Sequence, residues 1–388
     1  MTHGRSPSNG RAPLRVLLSL PDKRVRGGPP SHLYLLHDSL KELGVDVRKF
    51  IYGGRTHDES ALRKAMGRLL DLARFPFLIA KHRPDVVQFN SAFDRKGVMR
   101  DVFFIPVARA LGRTVITKFH GSDLKLLATQ SALWRLLTWI VVRGSHTVCV
   151  LSHQEARAFS QRFPRQRLSV VKNALDFSRY ARRDDFRRRY GVPADKPLLL
   201  FVARFIPAKG LTEVLQALPI IRRRHDVHVL LVGDGPSRGE SQDLCRQLSI
   251  EPYVTYTGYI PEDETVGAYL ASDILVFPSY HEEGMPMVIW HSLACGLPII
   301  TTRIRAAADW LEEGRHGLFV PPRDAKELAR VVVKLLDDAE LRTQMGRNGP
   351  ILARKFERSL VAREYLSLYE SMSRRESSGT VAETEAVV

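Results

Sequence analysis

The sequence predicts an α/β protein of two doubly wound domains, each a parallel sheet between helices, facing a central cleft. Three observations carry this. Short apolar runs alternate with helix-period stretches along the chain, the pattern of a parallel sheet covered on both faces. The alternation starts afresh after a polar, turn-rich join at "KNALDFSRYARRDD". The chain has 388 residues, too many for one ordinary core.

In the first series the strands are "LRVLLSL", "DVRKFIY", "DVVQF", "TVITKF", "HTVCVL" and "LSVV". Helical stretches at Ser31–Leu43, Val98–Leu111, Ser131–Gly144 and His153–Arg162 lie between them. The second series runs "PLLLFVARF", "HVLLVGDG", "VTYTG", "DILVFPS", "LPIITT" and "GLFV". The expected domains are 13–175 and 176–372. Segments 1–12 and 373–388 have little to pack and are expected to be disordered. Between the second and third strands, Ala61–Asp85 places Leu62, Met66, Leu69, Leu70, Ala73 and Phe77 at helical spacing among Arg63, Lys64, Arg68 and Arg74. Pro76 is expected to divide it into two helices.

Composition narrows the function classes. Cys149, Cys245 and Cys295 make no metal or disulfide spacing, which fits a reducing compartment. No apolar run approaches a membrane span, and "LRVLLSL" reads as a strand and not a signal peptide. The net charge is +17. Up to Leu175 there are 30 basic and 12 acidic residues, and from Asp176 onward 29 and 30. The excess therefore lies wholly in the first half, which should face something acidic: lipid headgroups, nucleic acid or an anionic small molecule. No nucleic-acid module is recognisable, and the cations are not interleaved with stacking aromatics.

Ligands of open parallel sheets sit beyond the carboxyl ends of the strands, so the residues there are the site candidates. Gly27 and Gly28 follow the first strand and precede a helix, a turn that can admit an anion or simply be tight. His120 and Gly121 follow "TVITKF". Arg204 and Lys209 straddle the loop after "LLLFVARF" and can clamp a diphosphate, or be two solvated cations. After "DILVFPS" come Glu283 and Gly284 in a loop, Met285, Pro286, Met287 and Val288 at a helix start, and His291 one turn further in.

These pieces, in this order, resemble the retaining glycosyltransferases of family 4, which have the GT-B fold of two Rossmann-like domains. The resemblance is strongest from "LLFVARFIPAKGLTEVLQAL" through "LLVGDGP", "ASDILVFPSYHEEGMPMV" and "ACGLPIITT" to "GRHGLFVPPRDAKELA". It implies an acceptor on the first domain, a nucleotide sugar on the second, and transfer with retention of configuration. Arg204, Lys209, Gly27 and Gly28 would meet the donor diphosphate. His120 and Glu283 would carry the catalytic contacts to the donor sugar, and Gly284 to Val288 would lie along sugar and phosphates. The family's E-x7-E motif starts at Glu283, but its second acid is His291 here, and the interdomain turn has Ala174 for the usual glycine. A neutral imidazole accepts one hydrogen bond where a carboxylate accepts several. The alternative is therefore a weakly active or non-catalytic binding subunit; a sugar-nucleotide epimerase fits the motifs less well.

No Asp-x-Asp metal motif stands out, so neither metal nor cofactor is expected. The expected partners are a nucleotide sugar and a glycan or lipid-linked acceptor, with no nucleic acid. The expected place is the cytoplasm, with the basic first domain drawn to the inner face of the membrane through Arg63, Lys64 and Arg68, and the process polysaccharide or glycolipid synthesis.

Overall fold

The computed structural model describes the backbone of residues 12–22, 28–52, 61–181 and 185–378. Its first sheet contains β1 (Arg15–Leu20), β2 (Asp46–Ile51), β3 (Val86–Phe93), β4 (Thr114–Ser122), β5 (Thr147–Val150) and β6 (Leu168–Val170). The helices between them are α1 (Gly28–Glu42), α2 (Ala61–His82), α3 (Arg95–Ala110), α4 (Leu124–Leu127), α5 (Ala132–Gly144) and α6 (His153–Arg162). All six strands are parallel, in the order β2-β1-β3-β4-β5-β6. Ser19 and Asn90 join β1 to β3 where the order reverses, with both Asn90 N–H groups donating to Ser19 at 2.7 Å.

The second sheet contains β7 (Leu198–Val202), β8 (His228–Val232), β9 (Val254–Gly258), β10 (Ile274–Phe277), β11 (Ile299–Thr301) and β12 (Gly317–Phe319). Its helices are α7 (Phe186–Arg189), α8 (Leu211–Arg222), α9 (Arg238–Gln247), α10 (Glu262–Ala271), α11 (Met287–Ala294), α12 (Arg305–Trp310), α13 (Ala325–Asp337) and α14 (Ala339–Ala353), followed by α15 (Arg358–Ser378). The order β12-β11-β10-β7-β8-β9 reverses between β10 and β7, and a crevice opens at such a point. The two doubly wound domains of the GT-B fold are therefore present, strand for strand as the sequence predicts.

Two features differ from the sequence reading. Pro76 does not divide α2, which runs unbroken from Ala61 to His82. Phe75 and Ile79, fully buried on either side of the proline, anchor both halves to one core. That packing offsets the one backbone hydrogen bond the proline removes. The last helix also leaves the domain that precedes it. The chain crosses between domains at Leu175, whose N–H donates to Phe356 O at 2.7 Å while Arg358 N donates to Leu175 O at 2.9 Å. α15 then packs on the first domain, where Tyr369 donates to Gln88 at 2.6 Å and Thr147 to the Met372 sulfur at 3.4 Å. It runs to Ser378; most of the segments expected to be disordered lie outside the described residues. Among the described residues no helix is long and apolar enough to cross a membrane.

Candidate active site

The crevice between β7 and β10 holds the charged candidates. Gly210 is left-handed, with φ 84°, and a Cβ there would meet the Pro278 carbonyl at 2.6 Å. Only glycine lets the loop after β7 lie this close to the loop after β10. Tyr280 N donates across the contact to Ala208 O at 2.9 Å. This close approach brings Lys209 into an ion pair with Glu283. The lysine is buried and its Nζ also lies 5.5 Å from the Phe277 ring centroid, whereas Glu283 is open to the cleft. Arg204 is exposed at the mouth of the crevice, with no side-chain partner among the described residues. Pro286 caps α11, and Met287 and Val288 supply its first amides. Those amides have no acceptor within the helix, so the helix end is receptive to an anion.

The first domain meets this loop with backbone, neutral side chains and the buried Glu155, whose Oε2 would lie 3.1 Å from a Cβ on Gly284. His120 and Gly121 are the last turns of β4. A Cβ on Gly121 would lie 3.3 Å from the Glu282 carbonyl, so the two loops face each other across the domain boundary. Among the described residues both buried ring nitrogens of His120 have no hydrogen-bond partner, and its ring lies 5.0 Å from that of His32 on α1. Burial, then Lys118 and His32, hold His120 well below the ordinary histidine range. It is a neutral imidazole near pH 7. Burial also lowers His281, ahead of the Lys209 charge. Gly27 lies outside the described residues. Gly28 opens α1, near the same cleft, because Ser31 and His32 of that helix line a narrow gap with Met287 and His291.

His291 does not stand free in the position of an acid. Its Nδ1 shares a hydrogen bond with the Tyr180 hydroxyl at 2.6 Å, and its Nε2 lies 3.8 Å from Glu262. Tyr269 stacks on the ring at 5.8 Å between centroids, and Arg179 donates to Glu262 at 3.1 Å. Burial lowers the His291 pKa and the Glu262 charge opposes that. The ring is neutral and already engaged, and the carboxylate in this corner belongs to Glu262.

Sequence reasoning missed Glu262 and also Arg305. Arg305 is buried at φ 49°, a strained conformation for a side chain of its size. Its Nη2 donates to the Ser122 carbonyl of the other domain at 2.9 Å, and the guanidinium lies 3.7 Å from Glu282 and 3.8 Å from Glu155. Burial raises the Glu155 carboxyl above its usual range. Both residues follow strands, Glu262 after β9 and Arg305 after β11, so the strand-end rule used for the others also reaches them. Arg68 is exposed on α2, and the side chains of Arg63 and Lys64 lie outside the described residues. Among the described residues no cluster of three or more His, Cys, Asp or Glu is placed to hold a metal ion.

A chain with this fold and this charged crevice falls among the two-domain glycosyltransferases. Residues 26–179 match Glycosyltransferase Family 4, and residues 182–351 match Glycosyl transferases group 1. The chain is 30% identical over 283 residues to alpha-D-kanosaminyltransferase of Streptomyces kanamyceticus, covering 69% of this chain and 72% of that one. It is 27% identical over 351 residues to the GDP-mannose-dependent alpha-(1-6)-phosphatidylinositol monomannoside mannosyltransferase of Mycolicibacterium smegmatis, covering 83% and 88%. The crystal structure of a glycosyltransferase from Rickettsia africae superposes with a TM-score of 0.76 at 17% identity, covering 93% of this chain and 99% of that one. The chain belongs to this glycosyltransferase family, of the family 4 type.

Proposed function

We propose that the chain transfers a sugar from a nucleotide-sugar donor to a glycan or lipid-linked acceptor, with retention and without a metal ion. The observation that carries this is the buried Lys209 paired with Glu283 opposite His120 and Gly121. Departure of a nucleoside diphosphate builds negative charge. Lys209, Arg204 and the first amides of α11 would stabilise it as it develops, fixed in advance and shielded from water. Glu283 accepts hydrogen bonds from sugar hydroxyls, and its pairing with Lys209 couples sugar position to phosphate position. His120 offers a donor on one ring nitrogen and an acceptor on the other, both unpartnered until substrate arrives. Gly284 to Val288 lie along the donor, and Gly27 and Gly28 approach its diphosphate from the first domain.

The acceptor is held by the first domain. A relative whose name includes phosphatidylinositol and the +18 balance of the first half support a lipid-linked acceptor in polysaccharide or glycolipid synthesis. We place the protein in the cytoplasm, peripherally on the inner face of the membrane. A second reading, a weakly active or non-catalytic binding subunit, draws on the engaged, neutral His291. Calorimetric titration with UDP, GDP and ADP, followed by transfer from the matching nucleotide sugars, tests the proposal. Failure of every nucleoside diphosphate to bind would refute both the donor site and the reaction. Binding without turnover would select the second reading.

A further inference from the structure

α3 lies between α2 and α5 on one face of the first sheet. These three helices leave an unusual amount of apolar surface uncovered. Leu69 of α2 is 68% exposed, Phe103 of α3 53% and Trp139 of α5 54%, and Met66, Phe77, Met99, Leu133 and Leu136 are also exposed. Scattered exposed leucines need no account, but a continuous apolar face marks an interaction surface.

The face is not flat. A groove of about 980 Å³ runs into it, lined by Leu69 and Leu72 of α2, Met99, Phe103 and Phe104 of α3, and Trp134 of α5. Its polar lining is almost wholly cationic: Arg68, Arg95, Lys96 and Arg100. The one acidic lining residue, Asp94, is turned to its own helix, where it accepts from Gly97 N at 2.7 Å. Arg95 sits over the Trp134 ring at 5.3 Å, so a cation and an aromatic wall share one end of the groove. That end is close to the cleft. Ala92 and Asp94 flank Phe93, which pairs with Ser122, two residues beyond His120.

From this juxtaposition we propose that the groove between α2, α3 and α5 seats the hydrocarbon chain of a phosphate-bearing lipid. The phosphate rests on Arg95, Lys96 and Arg68 at the rim. The apolar walls disfavour a polar glycan and an acidic peptide surface without an apolar tail, and the cations disfavour neutral lipid. Arg68 and Lys96 can follow the phosphate while their stems line apolar surface. On the sugar-transfer reading, on which this clause rests, the lipid is the acceptor, and the groove aims its head toward His120.

The test reads lipid contact without any donor, so it can fail while transfer stands, and the reverse. The full-length protein carries tryptophans at 134, 139, 290 and 310, and two serve as reporters. Trp139→Phe leaves Trp134 in the groove; Trp134→Phe leaves Trp139 on the outer face. Each variant is mixed with phosphatidylglycerol vesicles carrying brominated acyl chains, and with brominated phosphatidylcholine as the neutral control. The proposal expects bromine to quench Trp134 emission in anionic vesicles. It expects Met99→Glu with Phe103→Glu to weaken binding at least about tenfold, because both side chains lose apolar contact. Both positions are exposed, so the fold should be unaffected. Arg95→Glu with Lys96→Glu should weaken it at least about tenfold as well. Dihexanoylphosphatidic acid below its micelle concentration should compete, whereas inorganic phosphate should not.

Quenching of Trp139 but not Trp134 would overturn the groove in favour of adsorption on the outer face. Competition by inorganic phosphate would reduce it to an anion site. A chain that is dimeric by light scattering and becomes monomeric in Met99→Glu with Phe103→Glu, without lipid binding in either form, would assign the face to a second copy instead.

Discussion

The carboxyl edges of the two sheets face one another but are built from opposite materials. The second domain offers a paired lysine and carboxylate, an exposed arginine and a helix end. The first offers a neutral histidine and a glycine backbone, and the acid it sets against the loop, Glu155, is buried with its pKa raised by that burial. A leaving diphosphate needs fixed positive charge on one side only. A second ionic wall would have to be desolvated on closing, at a cost that its attraction need not repay. The neutral edge lets the domains meet closely, and on the proposed reaction the fixed charge stays on the side where the leaving group forms.

The contrast is broken most directly at Lys209. Lys209→Ala should lower kcat/KM about 10²- to 10³-fold, the usual effect of removing one donor to a developing anion. Arg204→Ala, at the exposed mouth, should cost about tenfold less. Steady-state kinetics with both variants at equal folded content is the measurement. Wild-type rates in both would remove the charged edge from the chemistry.

Glu283→Gln sharpens the same side. The amide keeps the shape but loses the charge that pairs with Lys209 and accepts from hydroxyls. Turnover should fall about tenfold or more, while the affinity for free nucleoside diphosphate stays within about threefold. An equal loss of nucleotide affinity would mean that Glu283 works through Lys209 alone.

The charged edge was legible in the sequence because its residues are neighbours there. Arg204, Lys209 and Gly210 lie within one loop, and Glu283 to His291 within one turn and helix. All twelve strands were legible for a related reason: in a parallel sheet buried on both faces they read as short unbroken apolar runs. The contacts around these loops were less so. They join distant segments: Tyr180 and Glu262 around His291, Arg305 reaching Ser122, Lys118 beside Tyr365. Such contacts have no local signal. Pro76 was misread for the converse reason, since local breaking propensity was overruled by the buried Phe75 and Ile79.

His291 shows how far that matters. By motif alone, His291→Glu should restore an acid and raise turnover. In place, the new carboxylate would be buried beside Glu262, from which His291 Nε2 now lies 3.8 Å. Like charges this close repel, and the Tyr180 hydroxyl can satisfy only one. The expected outcome is a loss of about 1–3 kcal/mol in stability by denaturant titration and no gain in turnover. A gain would show that Glu262 moves aside, and that this corner had merely lost its acid.

The smallest effect tests whether the first domain is neutral beneath its edge as well. Lys118 lies on β4 two residues before His120, fully buried, with its Nζ donating to Asn173 at 2.9 Å and lying 5.2 Å from the Tyr365 centroid. Burial pushes its ammonium down to about 7, against a small opposing effect of Cys149, whose own thiol burial pushes up to about 12. The folded chain therefore sheds this proton near pH 7, while the unfolded chain keeps it until about pH 10.4. Between those values the unfolded state binds more protons, so stability must rise with pH. From pH 7 to pH 8 the rise is about 1 kcal/mol from this group alone. Lys118→Met removes the group and keeps Cys149, so the difference between the two stability–pH curves isolates the lysine. Urea titrations of both proteins at pH 7 and pH 8 give it. If the curves are parallel, Lys118 stays charged under its strand, and its charge joins burial in holding His120 neutral above it.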